Sequence, residues 1–247
     1  MKGPIMAIFS KSEPRGPLPT IAFVHGAFAD SGSWVKAASQ LMAPGYPMLT
    51  IPNPLRDLQG DAAYVSSVLA TVEGPIVLVG HSYAGSVITQ AAADHDSVIA
   101  LVYVAAFIPE VGESSGGLNA LYPGSLLTPD NLVVRPTADG TTDLYIDADK
   151  YGEVYAGGLS PEEIAVGAFT QRPITAEALG GVLTKAPERD IPTWQIVATE
   201  DNAVPPELQR FVADRANATV LESATGHNVA VANPAVVIEA IAAAAAV

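Results

Sequence analysis

The stretch Pro75–Gly85, PIVLVGHSYAG, decides the fold. Its first half, Ile76 to Val79, is continuously apolar, as strands covered on both faces of a parallel sheet are. Its second half, Gly80-His81-Ser82-Tyr83-Ala84-Gly85, places a serine between small residues. It leads into a helical stripe of Val87, Ile88, Ala91 and Ala92. A serine on so sharp a strand-to-helix turn holds its hydroxyl above the sheet, where it can act as a nucleophile. The full pattern asks for glycine where this chain has Ala84, which is only one methyl larger.

The same rhythm extends to both sides. Leu18–His25, Met48–Pro52, Val98–Phe107 and Thr193–Thr199 are further apolar runs that read as strands. Ala218–Ala224 is a weaker one, and Ile5–Ser10 is a candidate edge strand. Helical patterns lie between them. Val65, Val68, Leu69 and Val72 follow the 3.6-residue period with Asp61 as candidate N-cap, and Ser31 or Ser33 is placed to cap a helix around Trp34. Pro206 and Pro234 open helices at their first positions, with Leu208, Phe211 and Val212 facing inward in the former. Alternating strands and helices predict an α/β protein with a doubly wound, mostly parallel sheet.

One stretch breaks the pattern. From Ile108 to Arg189 the strands disappear and Gly, Pro, Ser and Asp accumulate, with one helix start at Ser160-Pro161-Glu162-Glu163. Some eighty residues are too many for a plain loop. The expected organisation is a core from 1–107 and 190–247, with 108–189 as a helical cap over the carboxyl ends of the strands. Ligands of open α/β sheets bind at that end. The cap is expected to close over substrate, to set substrate choice and to supply no catalytic group.

Composition narrows the function. Among 247 residues, 12 Lys and Arg face 26 Asp and Glu, a formal charge of −14. Such a chain repels nucleic acid and anionic membrane surfaces. It has no cysteine, which removes disulfides, a thiolate nucleophile and cysteine-based metal sites. No apolar run reaches the length of a membrane span. The first nineteen residues lack a signal-peptide core, and the reading is a cytoplasmic protein. No metal-ligand spacing, P-loop or dinucleotide fingerprint occurs, so neither metal nor cofactor is expected. Monomer and homodimer are equally compatible with the sequence.

A serine nucleophile needs a base, and the chain offers four histidines. His25 ends a strand and reads as a residue that shapes its loop. His81 adjoins the serine and should point elsewhere. His95, in Ala-Asp-His-Asp, reads as solvated. His227 follows the last weak strand in Thr225-Gly226-His227-Asn228, at the edge of the sheet where Ser82 sits, and is the candidate base. Its orienting acid would be Asp201 or its neighbour Glu200, both after the strand Thr193–Thr199. Backbone N–H groups of Tyr83, after the serine, and Ala27, in the loop after the first strand, are candidate oxyanion donors. Phe28 beside that loop, and Tyr155 and Phe169 in the cap, are candidate walls of a substrate pocket. Tyr145 and Tyr151 recur in the cap and, with Tyr155, can line such a pocket.

Five stretches make the chain resemble the α/β-hydrolase superfamily along almost its whole length: HGAFADSGSW (25–34), VGHSYAG (79–85), VYVAAFIP (102–109), ATEDNAVPP (198–206) and TGHNVAVANP (225–234). Within it the chain is similar to the small esterases related to plant methylesterases and hydroxynitrile lyases. The resemblance implies the triad Ser82, Asp201 and His227, with Asp201 rather than Glu200, and a cofactor-free carboxylesterase; the apolar cap and acidic surface suit small to medium, low-charge ester substrates. The dehalogenases and epoxide hydrolases of this fold use aspartate where Ser82 stands. The lyases typically carry threonine at the position of Gly26 and lysine at that of Asn228. Perhydrolysis or C–C cleavage on the same triad, or a silent binding protein, are the alternatives.

Overall fold

The computed structural model describes residues 18–138, 140–188 and 190–247. The candidate strand Ile5–Ser10 lies outside them. Strands β1 (Thr20–Val24), β2 (Met48–Ile51), β3 (Ile76–His81), β4 (Val98–Val104), β8 (Thr193–Ala198) and β9 (Thr219–Ser223) form one sheet in the order β2-β1-β3-β4-β8-β9. Every pairing in it is parallel. The predicted doubly wound α/β architecture is therefore present, and the expected strands fall within the predicted runs.

Helices α1 (Val35–Leu41), α2 (Leu58–Leu69), α3 (Ala84–Ala92), α4 (Ser115–Asn119), α5 (Tyr151–Val154), α6 (Pro161–Thr170), α7 (Ala176–Gly180), α8 (Pro206–Arg215), α9 (Val229–Ala232) and α10 (Pro234–Ala244) complete the chain. Alternate residues of each central strand feed two cores. On β3, Val77 and Val79 join Trp34, Leu41, Val237 and Ile241 on one face, while Ile76 and Leu78 join Val65, Leu69, Val87 and Ile88 on the other. This two-sided burial is the reason the strands read as unbroken apolar runs. Each such side chain taken fully out of water contributes about 1.5–3 kcal/mol.

Local expectations fared unevenly. Ser160 caps α6 through a reciprocal box with Glu163, and Pro206 and Pro234 open α8 and α10. The cap of α2 is Asp57, not Asp61; Asp61 is fully buried one turn on. The turn Ser31–Trp34 before α1 is capped by Asp30, not by a serine. On α8, Leu208 and Val212 are buried, but Phe211 lies half out, against Tyr122 of the insertion.

The insertion between β4 and β8 is not wholly helical. It contains an antiparallel sheet of β5 (Leu132–Pro136), β6 (Thr142–Ile146) and β7 (Ile174–Thr175). Most residues of β5 and β6 are only partly covered, so they present no continuous apolar run for sequence reading to find. Polar ties fasten the insertion to the core. Arg56, after β2, donates to Asp143 of β6 at 2.6 Å and to the Pro173 carbonyl at 3.1 Å. Arg215 of α8 holds Glu113 at 2.6 Å, and Lys36 of α1 holds Glu163 of α6 at 2.5 Å.

The turn from β3 into α3 is the tightest packing in the fold. A Cβ added at Gly85 would lie 2.0 Å from the Phe107 carbonyl oxygen, and one at Gly80 would lie 2.8 Å from Ile88. Helix and sheet meet backbone to backbone there. Gly85→Ala should therefore cost about 2–3 kcal/mol, in the range of overpacked cores. Gly180→Ala, where nothing lies within 4 Å, should change stability by less than about 0.5 kcal/mol. Urea unfolding of both variants checks the contrast; equal effects would mean the close approach relaxes without cost.

Candidate active site

Ser82 sits at the carboxyl end of β3 with φ = +57°. A non-glycine residue rarely adopts this left-handed conformation, and it persists only where its surroundings hold it. Here the Ser82 N–H donates to the Val104 carbonyl at 3.1 Å, and the Ser82 carbonyl accepts from Gly85 at 2.9 Å and Phe107 at 3.3 Å. Neighbouring strand and helix thus hold the turn.

His227 and Asp201 come together as the sequence suggested. The Nδ1–H of His227 donates to Asp201 Oδ2 at 2.7 Å, and both side chains are almost wholly buried. That bond leaves Nε2 as the acceptor nitrogen. The same Oδ2 accepts from Gln209 Nε2 at 2.8 Å, and Oδ1 accepts from the N–H groups of Ala203 at 2.7 Å and Val204 at 2.9 Å. Four donors converge on one buried carboxylate, which suits a charged, fixed acceptor. Glu200 is exposed and takes no part. Gln209, on α8, is an orienting residue that sequence reading missed; its position three residues after Pro206 shows only a helix face.

The His81 side chain turns to the histidine loop, with no hydrogen bond to Ser82 among the described residues. Its Nε2–H donates to the His227 carbonyl at 2.9 Å, and the two rings lie 4.6 Å apart. Burial holds the His81 pKa well below 6.5, helped by the nearby His227 and opposed by that hydrogen bond. His81 therefore ties the segment after β3 to the histidine loop as a neutral ring. His95 is half-buried and shares a 2.8 Å hydrogen bond with Ser66, not the free residue expected.

The loop after β1 approaches Ser82 closely. A Cβ at Gly26 would fall 2.7 Å from Ser82 Cβ and 2.6 Å from the His81 carbonyl oxygen. Among the described residues, the N–H groups of Ala27 and Tyr83 meet no protein acceptor, the condition an oxyanion hole requires. Tyr83 is anchored from its far end. Its hydroxyl donates to Asp61 Oδ2 at 2.9 Å, and the Arg56 N–H holds Oδ1 at 3.1 Å. Burial raises the Asp61 pKa. Asp61 thus serves the residue after the serine and not the end of a helix, a role its apparent cap position concealed.

A cavity of about 450 Å³ adjoins this constellation only through Phe28, next to Ala27, and Asn228, next to His227; Ser82, Asp201 and His227 are not among its walls. Its walls include Phe28, Tyr151, Leu159 and Val166, with Asp30, Lys36, Glu162 and Glu163 as the charged part, and Asn228 at the end next to His227. Of the three expected wall residues only Phe28 lines it. Tyr155 is buried between His81 and His227, with ring centroids 6.0 and 4.9 Å away. Phe169 is 89% exposed, because it lies on a face of α6 that nothing covers. Tyr151, which recurs in the cap beside them, does line the cavity. No cluster of three or more His, Asp or Glu side chains able to hold a metal occurs among the described residues, nor does a helix long and apolar enough to cross a membrane.

His25 supports the loop from behind. Its Nδ1–H donates to the Gly26 carbonyl at 2.9 Å, and Nε2 accepts from the Asn53 N–H at 3.0 Å. Burial lowers its pKa from 6.5 to about 4, against the opposing pull of the Gly26 bond. The unfolded imidazole thus binds a proton near pH 6.5 and the folded one only near 4. Stability from this group is whole above pH 6.5 and is lost as pH falls toward 4, by roughly 3 kcal/mol. Relief of the acidic surface works in the opposite sense. The measurable outcome is a difference in slope: urea unfolding between pH 7 and 4 should fall less steeply for His25→Gln than for the parent. Parallel slopes would mean that His25 titrates normally.

Comparison with known proteins now adds to this geometry. Residues 21–240 match the family described as "Alpha/beta hydrolase family". The chain is 28% identical over 227 residues to a probable hydrolase, R7, of Phoma sp., covering 85% of this chain and 87% of that one. It is 26% identical over 211 residues to the pheophorbidase of Raphanus sativus, covering 78% and 80%. A methylesterase from Arabidopsis superposes with a TM-score of 0.77 at 17% identity, covering 92% of this chain and 98% of that one.

Proposed function

The chain belongs to the alpha/beta hydrolase family, and from that premise we propose that it is a serine esterase in which Ser82 forms an acyl-enzyme with small, weakly charged carboxylic esters. The observation that carries this reading is the buried Asp201–His227 pair, tied through the His81 side chain to the end of the strand that leads into the strained Ser82, whose neighbouring N–H groups at Ala27 and Tyr83 meet no protein acceptor among the described residues. The esterase names of relatives such as the pheophorbidase agree with it.

Each part has a defined task. Asp201, held by four donors, keeps the proton on Nδ1 of His227, so that Nε2 can take the proton of the Ser82 hydroxyl as the oxygen attacks the ester carbonyl. Ala27 and Tyr83 N–H groups receive the oxyanion of the tetrahedral intermediate. His227 returns its proton to the leaving alcohol, and water then releases the acid by the same steps in reverse. The cavity accounts for substrate size. Its Asp30, Glu162 and Glu163 disfavour anionic groups, and its one lysine, Lys36, is already paired with Glu163.

Gly26 argues for hydrolysis over cyanohydrin cleavage. The threonine that resembling lyases carry at this place would drive its Cβ into Ser82 and His81 in this backbone.

Two measurements test the reading. A fluorophosphonate probe should leave one adduct, on Ser82, and Ser82→Ala should reduce kcat on p-nitrophenyl acetate by about 10³-fold or more. An adduct on another serine, or turnover with peroxide or a cyanohydrin but not with esters, would overturn it. Asp201→Asn should cost about 10²- to 10⁴-fold in kcat, and Glu200→Gln almost nothing. The reverse ranking would mean that the carboxylate has been misassigned.

A further inference from the structure

The turn carrying the Ala27 N–H is itself strained. Phe28, a bulky residue, has φ = +58°, a conformation that persists only when its neighbours impose it. The groups that impose it come from the insertion. The Tyr155 hydroxyl donates to the Ala27 carbonyl at 3.1 Å, and the Tyr151 hydroxyl donates to the Phe28 carbonyl at 3.0 Å. The Phe28 N–H donates to the Arg172 carbonyl at 3.0 Å. All three bonds are made by residues between β4 and β8.

The same short segment holds the histidine loop. The Tyr155 carbonyl accepts from the Asn228 N–H at 3.1 Å, and its ring stands edge-on to His227. Two residues on, Gly157 meets Gly226 so closely that a Cβ at Gly226 would lie 2.9 Å from Gly157 backbone atoms. Tyr151 and Tyr155 are four residues apart around α5, so both side chains leave the same helical face. Both are buried.

Resting on the esterase reading above, we propose that the segment Tyr151–Gly157 is a clamp that positions the catalytic machinery: its two tyrosine hydroxyls set the Ala27–Phe28 turn and hence the aim of the Ala27 N–H, while the Tyr155 ring and carbonyl and Gly157 set the His227 loop. Tyr155 and Tyr151 are positioning residues, since they act through the peptides they hold. The insertion is then part of the catalytic scaffold and does more than choose substrates, contrary to the expectation from sequence.

The hydroxyls separate this role from packing. Tyr155→Phe keeps the ring against His227 and removes the bond to Ala27 together with the long 3.5 Å contact with His81 Nδ1. Loss of a whole oxyanion donor costs about 10²- to 10³-fold, and a misaimed donor should cost less. On p-nitrophenyl acetate, with kcat counted per fluorophosphonate-reactive site, kcat should fall about tenfold and KM should stay within about twofold. Affinity for a trifluoromethyl ketone, which forms a tetrahedral oxyanion on the serine, should weaken by the same factor. A loss confined to KM, or an unchanged kcat and ketone affinity, would overturn the clamp and leave Tyr155 a packing residue.

Hydrogen exchange reads the clamp without substrate. In the double variant Tyr151→Phe/Tyr155→Phe, the Phe28 amide should exchange about tenfold faster, in line with opening of a released turn. Unchanged protection would overturn the proposal even if the parent enzyme is an active esterase. If the parent neither turns over esters nor takes the label on Ser82, the esterase reading fails, and exchange alone decides whether the insertion holds the turn.

Discussion

The close approach of backbone to backbone around Ser82 is the constraint on which the rest of the structure depends. Gly26, Gly80 and Gly85 have no room for a Cβ, and they bring three separate pieces of chain against one turn: the loop after β1, the body of α3 and the segment after β4. Only when those pieces meet can Ser82 be held at positive φ by its hydrogen bond to the Val104 carbonyl and by those from Gly85 and Phe107. The strain at the serine is offset by packing distributed over the whole sheet, because every strand must be in register for the carbonyls of β4 to lie where the turn needs them.

A second layer of order is electrostatic. The Asp201 carboxylate is buried, and in that surrounding it would be costly without partners. Two backbone N–H groups, Gln209 and His227 supply them. The loop after β8, helix α8 and the loop after β9 are drawn together by the need to solvate one charge internally. His81 and His25, both neutral because burial disfavours their charged forms, pin adjoining loops by ring hydrogen bonds, His81 to the His227 carbonyl and His25 to Gly26 and Asn53. The base proposed for catalysis is thus one of three ring systems fixed around the serine, and the other two are structural.

The insertion adds the third layer. It is tied to the core by Arg56, Arg215 and Lys36 at its periphery and by Tyr151 and Tyr155 at its centre. Of the peripheral ties Lys36–Glu163 is largely exposed and worth little, whereas Arg56–Asp143 and the two-pronged Arg215–Glu113 pair are partly buried. The central ones are buried hydrogen bonds to carbonyls that would otherwise be left without partners, and they bear on the geometry of the proposed oxyanion hole.

The sequence alone determined the parallel sheet, since strands buried on both faces must be apolar without interruption, as Ile76–Val79 and Leu101–Val104 are. It also marked Ser82 as the candidate nucleophile, because a serine between small residues at a strand end has few other uses, and His227 as the candidate base, by the scarcity of histidines. Tertiary structure decided what depends on facing surfaces. Asp61 looks like a cap but is buried against Tyr83. Phe169 looks like a pocket wall but faces outward. Tyr155 looks like a substrate contact but is spent on a backbone carbonyl. β5 and β6 escaped notice because half-exposed strands carry no continuous apolar signal. Local periodicity records how much of a residue is covered; it does not record by what, and the partners of Tyr155, Asp61 and Gln209 come from distant parts of the chain.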